Sequence, residues 1–171
     1  MNPTVGNILV ILLLIVVCAV FVAAEMSLVS LRDAQIQNLS TRGKRGATVA
    51  RLASDPNRFL GAVQIGVTLS TLLSGVLGGA TLEGSLAPVL EGWGIPAGVS
   101  STVSLILITL AISYLTIVAS ELTAKRLAMQ RSEAFALTLA PLVDVTARVA
   151  RPIIWFLGVS TDAVVRLFGG D

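Results

Sequence analysis

From its start to Ala24 the chain carries no charged side chain. Residues 8–24, ILVILLLIVVCAVFVAA, are apolar without a break. Such a run cannot remain in water, and in a bilayer its backbone polar groups must be satisfied within the segment, which an α-helix does. Crossing takes about 20 residues, so the helix is expected to run on past Glu25, Ser27 and Ser30 to Arg32. No basic residue precedes the run, so it lacks the charged opening of a secretory leader and reads as a retained span. Two further apolar stretches follow, Phe59 to Ala80 and about Val99 to Glu121. The chain is 54% hydrophobic and 13% charged, where a soluble domain carries about a quarter charged residues. These features define an all-α integral membrane protein.

The basic residues set the orientation. All 12 lie either between Arg32 and Arg58 or beyond Glu121, and residues 81–101 have none. Loops rich in Lys and Arg stay in the cytoplasm, so three crossings are expected, with the N-terminus outside a cell membrane and the C-terminus inside. The basic residues flank apolar spans and form no stripe on a soluble face, which argues against nucleic acid as a partner. The spans are placed at about 5–32, 58–80 and 99–123 of a single transmembrane domain. TRGKRG (41–46) reads as a turn, Ser54-Asp55-Pro56-Asn57 as a helix cap, and 81–101 as a Gly/Pro-rich connection with Trp93 as an interface anchor. Pro141 and the scattered charges Glu133, Asp144, Arg148 and Arg151 argue against a fourth crossing. Re-entrant or interfacial helices are expected instead at about 132–150 and 153–168, the last an amphipathic belt along the membrane surface. Gly169-Gly170-Asp171 reads as a linker towards a soluble domain.

The chemistry concentrates in Thr109 to Arg126, TLAISYLTIVASELTAKR. Thr109, Ser113, Thr116, Ser120 and Thr123 recur at spacings of four and three, which puts them on one helix face. Small hydroxyl residues can serve close helix packing alone. Glu121 is different, because a carboxylate at the edge of a bilayer core loses hydration and marks a cavity, a partner or an ion. Glu25 is a second such carboxylate. In the middle span Gln64, Thr68 and Thr71 share a face, with Ser70 and Ser74 beside them. Its glycines permit backbone contact or a loosened helix that offers carbonyls to an ion. The chain has no histidine and one cysteine, Cys18, in an apolar run. Imidazole and thiolate metal sites, disulfides and histidine-based triads are therefore excluded, and a Ser/Lys or carboxylate pair is all an intramembrane enzyme could use. The donors in the spans are oxygens: Glu25, Ser27, Ser30, Gln64, Thr68, Ser70, Thr71, Ser74, Ser120 and Glu121. Oxygen donors suit a hard cation such as Mg²⁺ or Na⁺, and composition does not choose between them.

VAAEMSLVSLRDAQIQNL (22–39) resembles the opening of the cyclin M-like (CNNM/CorC) membrane domain. QIGVTLSTLLSG (64–75) resembles that family's second-helix motif, and SELTAKRLA (120–128) its Gly-Glu-x-x-Pro-Lys segment. Ser120 stands where Gly is usual, Ala124 where Pro is usual, and Val67 where some relatives carry Asn; Glu121 is retained. With the closing amphipathic helix, the likeness covers essentially the whole chain. The resemblance implies a homodimeric Mg²⁺ transporter that exports Mg²⁺ in exchange for Na⁺ by alternating access. A cytoplasmic CBS-type regulatory domain would follow. The implied Mg²⁺ ligands are Glu121 and the hydroxyls of Ser27, Ser70 and Thr68, with Ser120 beside them and Glu25 serving sodium coupling or helix pairing. The competing reading from the residues is a membrane anchor and dimerisation module for a soluble domain, with the small-residue faces serving as packing surfaces only.

Overall fold

The computed structural model describes residues 3–170, and every regular element among them is helical. The order is α1 (Pro3–Ser30), α2 (Asp33–Ser40), α3 (Gly43–Ala53) and α4 (Pro56–Leu77), then a π-helical turn (Gly78–Leu82) and α5 (Glu83–Gly92). There follow α6 (Ala97–Leu115), a second π-helical segment (Thr116–Thr123), α7 (Ala124–Gln130), α8 (Ser132–Val149) and α9 (Arg151–Leu167). Three helical stretches are long and apolar enough to cross a membrane: Pro3–Ser30, Pro56–Gly92 and Ala97–Gln130. The helix through Pro56–Gly92 carries on across residues that read as an irregular connection. Pro88 lies inside α5. It costs that helix the one hydrogen bond its nitrogen would have donated to the Gly84 carbonyl.

The chain divides into two compact units. The first holds residues up to Val20 together with Val67–Ala124. Its buried positions are mostly small: Ser70 and Ser74 from α4, Ser100 and Ser104 from α6, Ser120 and Ala124, packed with Ile11, Ile15 and Cys18 of α1. Small side chains let helix backbones approach, which is how helices hold together where lipid removes the hydrophobic drive. A Cβ on Gly78 would lie 2.2 Å from Cδ1 of Ile112, so glycine makes that approach possible. α5 and α6 form a hairpin closed at Gly94, whose φ of +96° favours a residue without a side chain. Ser100 Oγ donates to Glu91 Oε1 at 3.1 Å, and Ser101 Oγ donates to Glu83 Oε1, tying the two helices together.

The second unit holds Phe21–Gly66 and the residues from Lys125 onward. Its core is larger in side chain: Phe21, Val22 and Leu28 of α1, Leu31 just after it, Leu39 of α2, Val49 and Leu52 of α3, Phe59 and Val63 of α4, and Val143 of α8. Gln35 works twice here. Its Oε1 accepts from the Arg32 backbone N–H at 2.9 Å, capping α2, and its Nε2 donates to Glu133 Oε1 at 3.0 Å, anchoring the start of α8. Asp55 Oδ1 accepts from the Arg58 backbone N–H at 3.4 Å, with Pro56 as the first helical residue of α4. TRGKRG turns only at Thr41-Arg42, and helix α3 already begins at Gly43. The turn is possible because Gly43 adopts φ +72°. Gly43→Ala is expected to lower stability by about 1–2 kcal/mol, the cost of a left-handed L-residue, read as a shift in thermal unfolding. α9 buries none of its side chains. Trp155, Phe156 and Leu167 are all exposed on it, as is Phe168 just after it.

Candidate functional site

The first unit contains a groove of about 390 Å³ lined by Thr71, Gly75, Thr109, Ile112, Ser113, Thr116, Ile117 and Glu121. Three hydroxyls of the sequence stripe, Thr109, Ser113 and Thr116, line it together with the carboxylate. The fourth hydroxyl comes from α4: Thr71, whose Oγ1 is 3.9 Å from Cys18 Sγ. The π-helical segment Thr116–Thr123 explains the position of Glu121. In an α-helix a residue five positions on lies about 140° around the axis. Where hydrogen bonds run i to i+5, it returns beneath its starting residue. Glu121 is five positions after Thr116, so the wider turn brings it to the groove face below that threonine. It is half-buried there.

The same turn sends Ser120 elsewhere. Ser120 is fully buried, and its Oγ donates to the Ile15 carbonyl at 2.9 Å. Its hydroxyl proton is thus committed to α1, while its lone pairs stay in the packed interface. Ser120→Ala is expected to cost roughly 0.6 kcal/mol, the usual worth of such a bond between membrane helices, measured by unfolding in detergent. Ser70 is buried, and its carbonyl accepts from Ser74 Oγ at 2.8 Å. Thr68 is exposed on α4. In the second unit, Ser27 is buried with its Oγ donating to the Ala24 carbonyl at 2.9 Å, and Glu25 is half-buried on the same helix. Among the described residues, no three of His, Cys, Asp and Glu gather into a metal-ligating group. A cation held here would therefore rest on one carboxylate supplemented by hydroxyls, carbonyls and water. Sequence reasoning missed the π-helical segments and did not assign Thr71 to the groove. Four- and three-residue spacing carried the stripe; no residue pattern signals an i to i+5 register.

The second unit carries a cluster that the sequence left scattered. Asp144 of α8 is buried. Its Oδ2 pairs with Arg51 of α3 at 2.9 Å and with Arg148 at 3.0 Å, and Arg58 of α4 approaches Oδ1 to 3.9 Å. One carboxylate oxygen thus ties α3 to α8 through charge-assisted bonds, and Arg58 of α4 adds its charge at longer range.

Apolar helices of spanning length, a groove that brings a carboxylate and hydroxyls together at a π-helical interruption, and an exposed amphipathic helix together define a multi-pass α-helical membrane domain. The chain belongs to the cyclin M transmembrane N-terminal domain (CNNM) family, whose model it matches over residues 9–171. It is 41% identical to the UPF0053 protein sll0260 of Synechocystis over 160 residues, 93% of this chain and 36% of that one. It is 32% identical to the UPF0053 protein YhdP of Bacillus subtilis over 164 residues, 95% of this chain and 37% of that one. It is also similar to a protein of Haemophilus influenzae named polyamine export protein, at 34% identity over 168 residues, 95% of this chain and 38% of that one. The chain thus spans little more than a third of the length of these relatives.

Proposed function

We propose that this chain is the membrane domain of a cation transporter whose cargo is Mg²⁺, moved against Na⁺ by alternating access. The observation that carries the reading is Glu121, set by the π-helical segment into a groove of hydroxyls within a span-length helix. Irregular helix at membrane depth occurs where it lines a cavity or is covered by protein, and transporters place ions at such breaks. Glu121 supplies the charge, and Thr71 supplies the α4 hydroxyl of the groove; Ser70 and Thr68 of the same helix are ligands that the family resemblance implies and are not among the residues lining it. Ser120 belongs to the same unit; Ser27 and Glu25, which the family resemblance also implies, belong to the second unit. A single carboxylate with neutral oxygens gives modest affinity, and an ion that must leave requires no more. The working protein is a homodimer in a cell membrane, with the N-terminus outside and the C-terminus in the cytoplasm. A CBS-type cytoplasmic region regulates it.

A second cargo is favoured by one relative's name. A polyamine is also a multiply charged cation, and its ammonium groups can donate hydrogen bonds to a carboxylate and hydroxyls. The two separate in proteoliposomes containing the full-length protein. Mg²⁺ uptake or release that depends on a Na⁺ gradient, with no movement of labelled spermidine, is the expected result. Spermidine flux without Mg²⁺ flux would replace the cargo. Movement of neither would reduce the domain to an anchor.

A further inference from the structure

Arg51, Arg58, Arg148 and Arg151 line a pocket of about 330 Å³ in the second unit. Asp144 neutralises only part of their charge. The side chains of Arg51 and Arg148 are 50% and 63% exposed although both pair with Asp144. Arg151 joins no ion pair among the described residues and opens α9. The positive end of that helix dipole adds to the field. Four guanidiniums lining one pocket, three of them paired with a single buried carboxylate, hold a fixed surplus of positive charge at a concave surface. A structural ion-pair cluster would need only Asp144 and its three partners. It does not account for Arg151 or for the open pocket.

We propose that this pocket binds a phosphate group, and that an anionic lipid headgroup supplies it. Guanidiniums match phosphate oxygens through paired, planar N–H donors. Basic pockets at the membrane–water boundary of helical membrane proteins take anionic headgroups. The adjoining helix fixes the source. α9 starts at the pocket and exposes Trp155, Phe156 and Leu167 while burying no side chain, which is how a helix lying in the interface plane is built. It is docked near the pocket, where Ile154 packs over Gly61: a Cβ there would meet Ile154 Cγ2 at 3.1 Å. A lipid whose acyl chains lie along α9 would bring its phosphate to the arginines. Asp144 sets the geometry by holding Arg51 and Arg148 on one oxygen.

The test is lipid binding to the full-length protein in neutral detergent, followed by native mass spectrometry with phosphatidylglycerol and with phosphatidylcholine. Arg151→Gln is expected to weaken phosphatidylglycerol binding about fivefold, and Arg148→Gln/Arg151→Gln by roughly the square of that, near the usual contribution of one basic residue at an anionic surface. Phosphatidylcholine binding should not change, and Arg151→Lys should recover most of the loss. Arg151 is exposed and outside the ion-pair cluster, so thermal unfolding of its variants should match the wild type. Inorganic phosphate is the second probe. If it binds by calorimetry and displaces the lipid, the phosphate site stands and a soluble anion is its source. Equal phosphatidylglycerol affinity in wild type and double variant, with no phosphate binding, overturns the site and leaves the arginines to a protein partner.

Discussion

Glu121→Gln is expected to cut Mg²⁺ transport by the full-length protein about 100-fold or more, since losing even an outer-shell partner of a metal site costs 10- to 100-fold. The substitution keeps the shape and removes the charge. Among the described residues lining the groove, Glu121 is the only carboxylate; the other polar side chains there are the neutral hydroxyls of Thr71, Thr109, Ser113 and Thr116. At about 4 Å and an effective dielectric near 20, each unit of cation charge gains about 4 kcal/mol from a carboxylate. Hydroxyl dipoles cannot replace that. Glu121→Asp keeps the charge but withdraws it by one methylene, so a partial loss is expected. Thermal unfolding of both variants should stay within about 1 kcal/mol of wild type, because a half-exposed polar position is not core. Unchanged flux in Glu121→Gln would remove the carboxylate from the mechanism.

Gly46→Ala carries the largest expected effect on stability. A Cβ at Gly46 would sit 1.8 Å from the carbonyl oxygen of Leu39 and 2.9 Å from its carbon. The obstacle is backbone, so no rotamer change relieves it. Leu39 is itself fully buried, which pins α2 in place. The α2–α3 pair must separate to admit the methyl group, and with it the anchor of α3 on α8. A loss of about 3 kcal/mol is expected, the upper end for overpacking, read as a lowered unfolding midpoint in detergent. Gly84→Ala is the control, since nothing lies within 4 Å of its added Cβ. Equal stability of Gly46→Ala and wild type would mean that the two helices are not this close.

What the sequence revealed, and what it hid, follows from the range of each signal. Uninterrupted apolar runs made the three span-length helices legible, because burial in lipid is written residue by residue. The stripe of Thr109, Ser113 and Thr116 was legible because it needs only helical spacing, and it does line the groove with Glu121. The π-helical segment was not legible. Its register is set by how Thr116–Thr123 packs, and TIVASELT contains no residue that demands it. Ser120 illustrates the consequence. Simple α-helical geometry puts it on the stripe, yet the wider turn buries it against the Ile15 carbonyl. Glu83–Gly92 was hidden by composition, since glycine and proline read as a connection although a single proline removes only one bond. The Asp144 cluster joins residues up to 97 positions apart, and no local pattern announces such a pairing. Of the scattered charges that argued against a fourth crossing, Asp144 and Arg148 pair and Arg151 lines the same pocket as Arg148, while Glu133 accepts from Gln35.

The most direct test of the central claim is a calorimetric titration of Mg²⁺ into the purified full-length protein, wild type and Glu121→Ala, in Na⁺ and in Na⁺-free buffer. The account predicts binding to wild type that weakens in Na⁺ and vanishes in Glu121→Ala. Mg²⁺ binding of equal strength in the two proteins would contradict it, and would place the ion away from the groove that Glu121 lines.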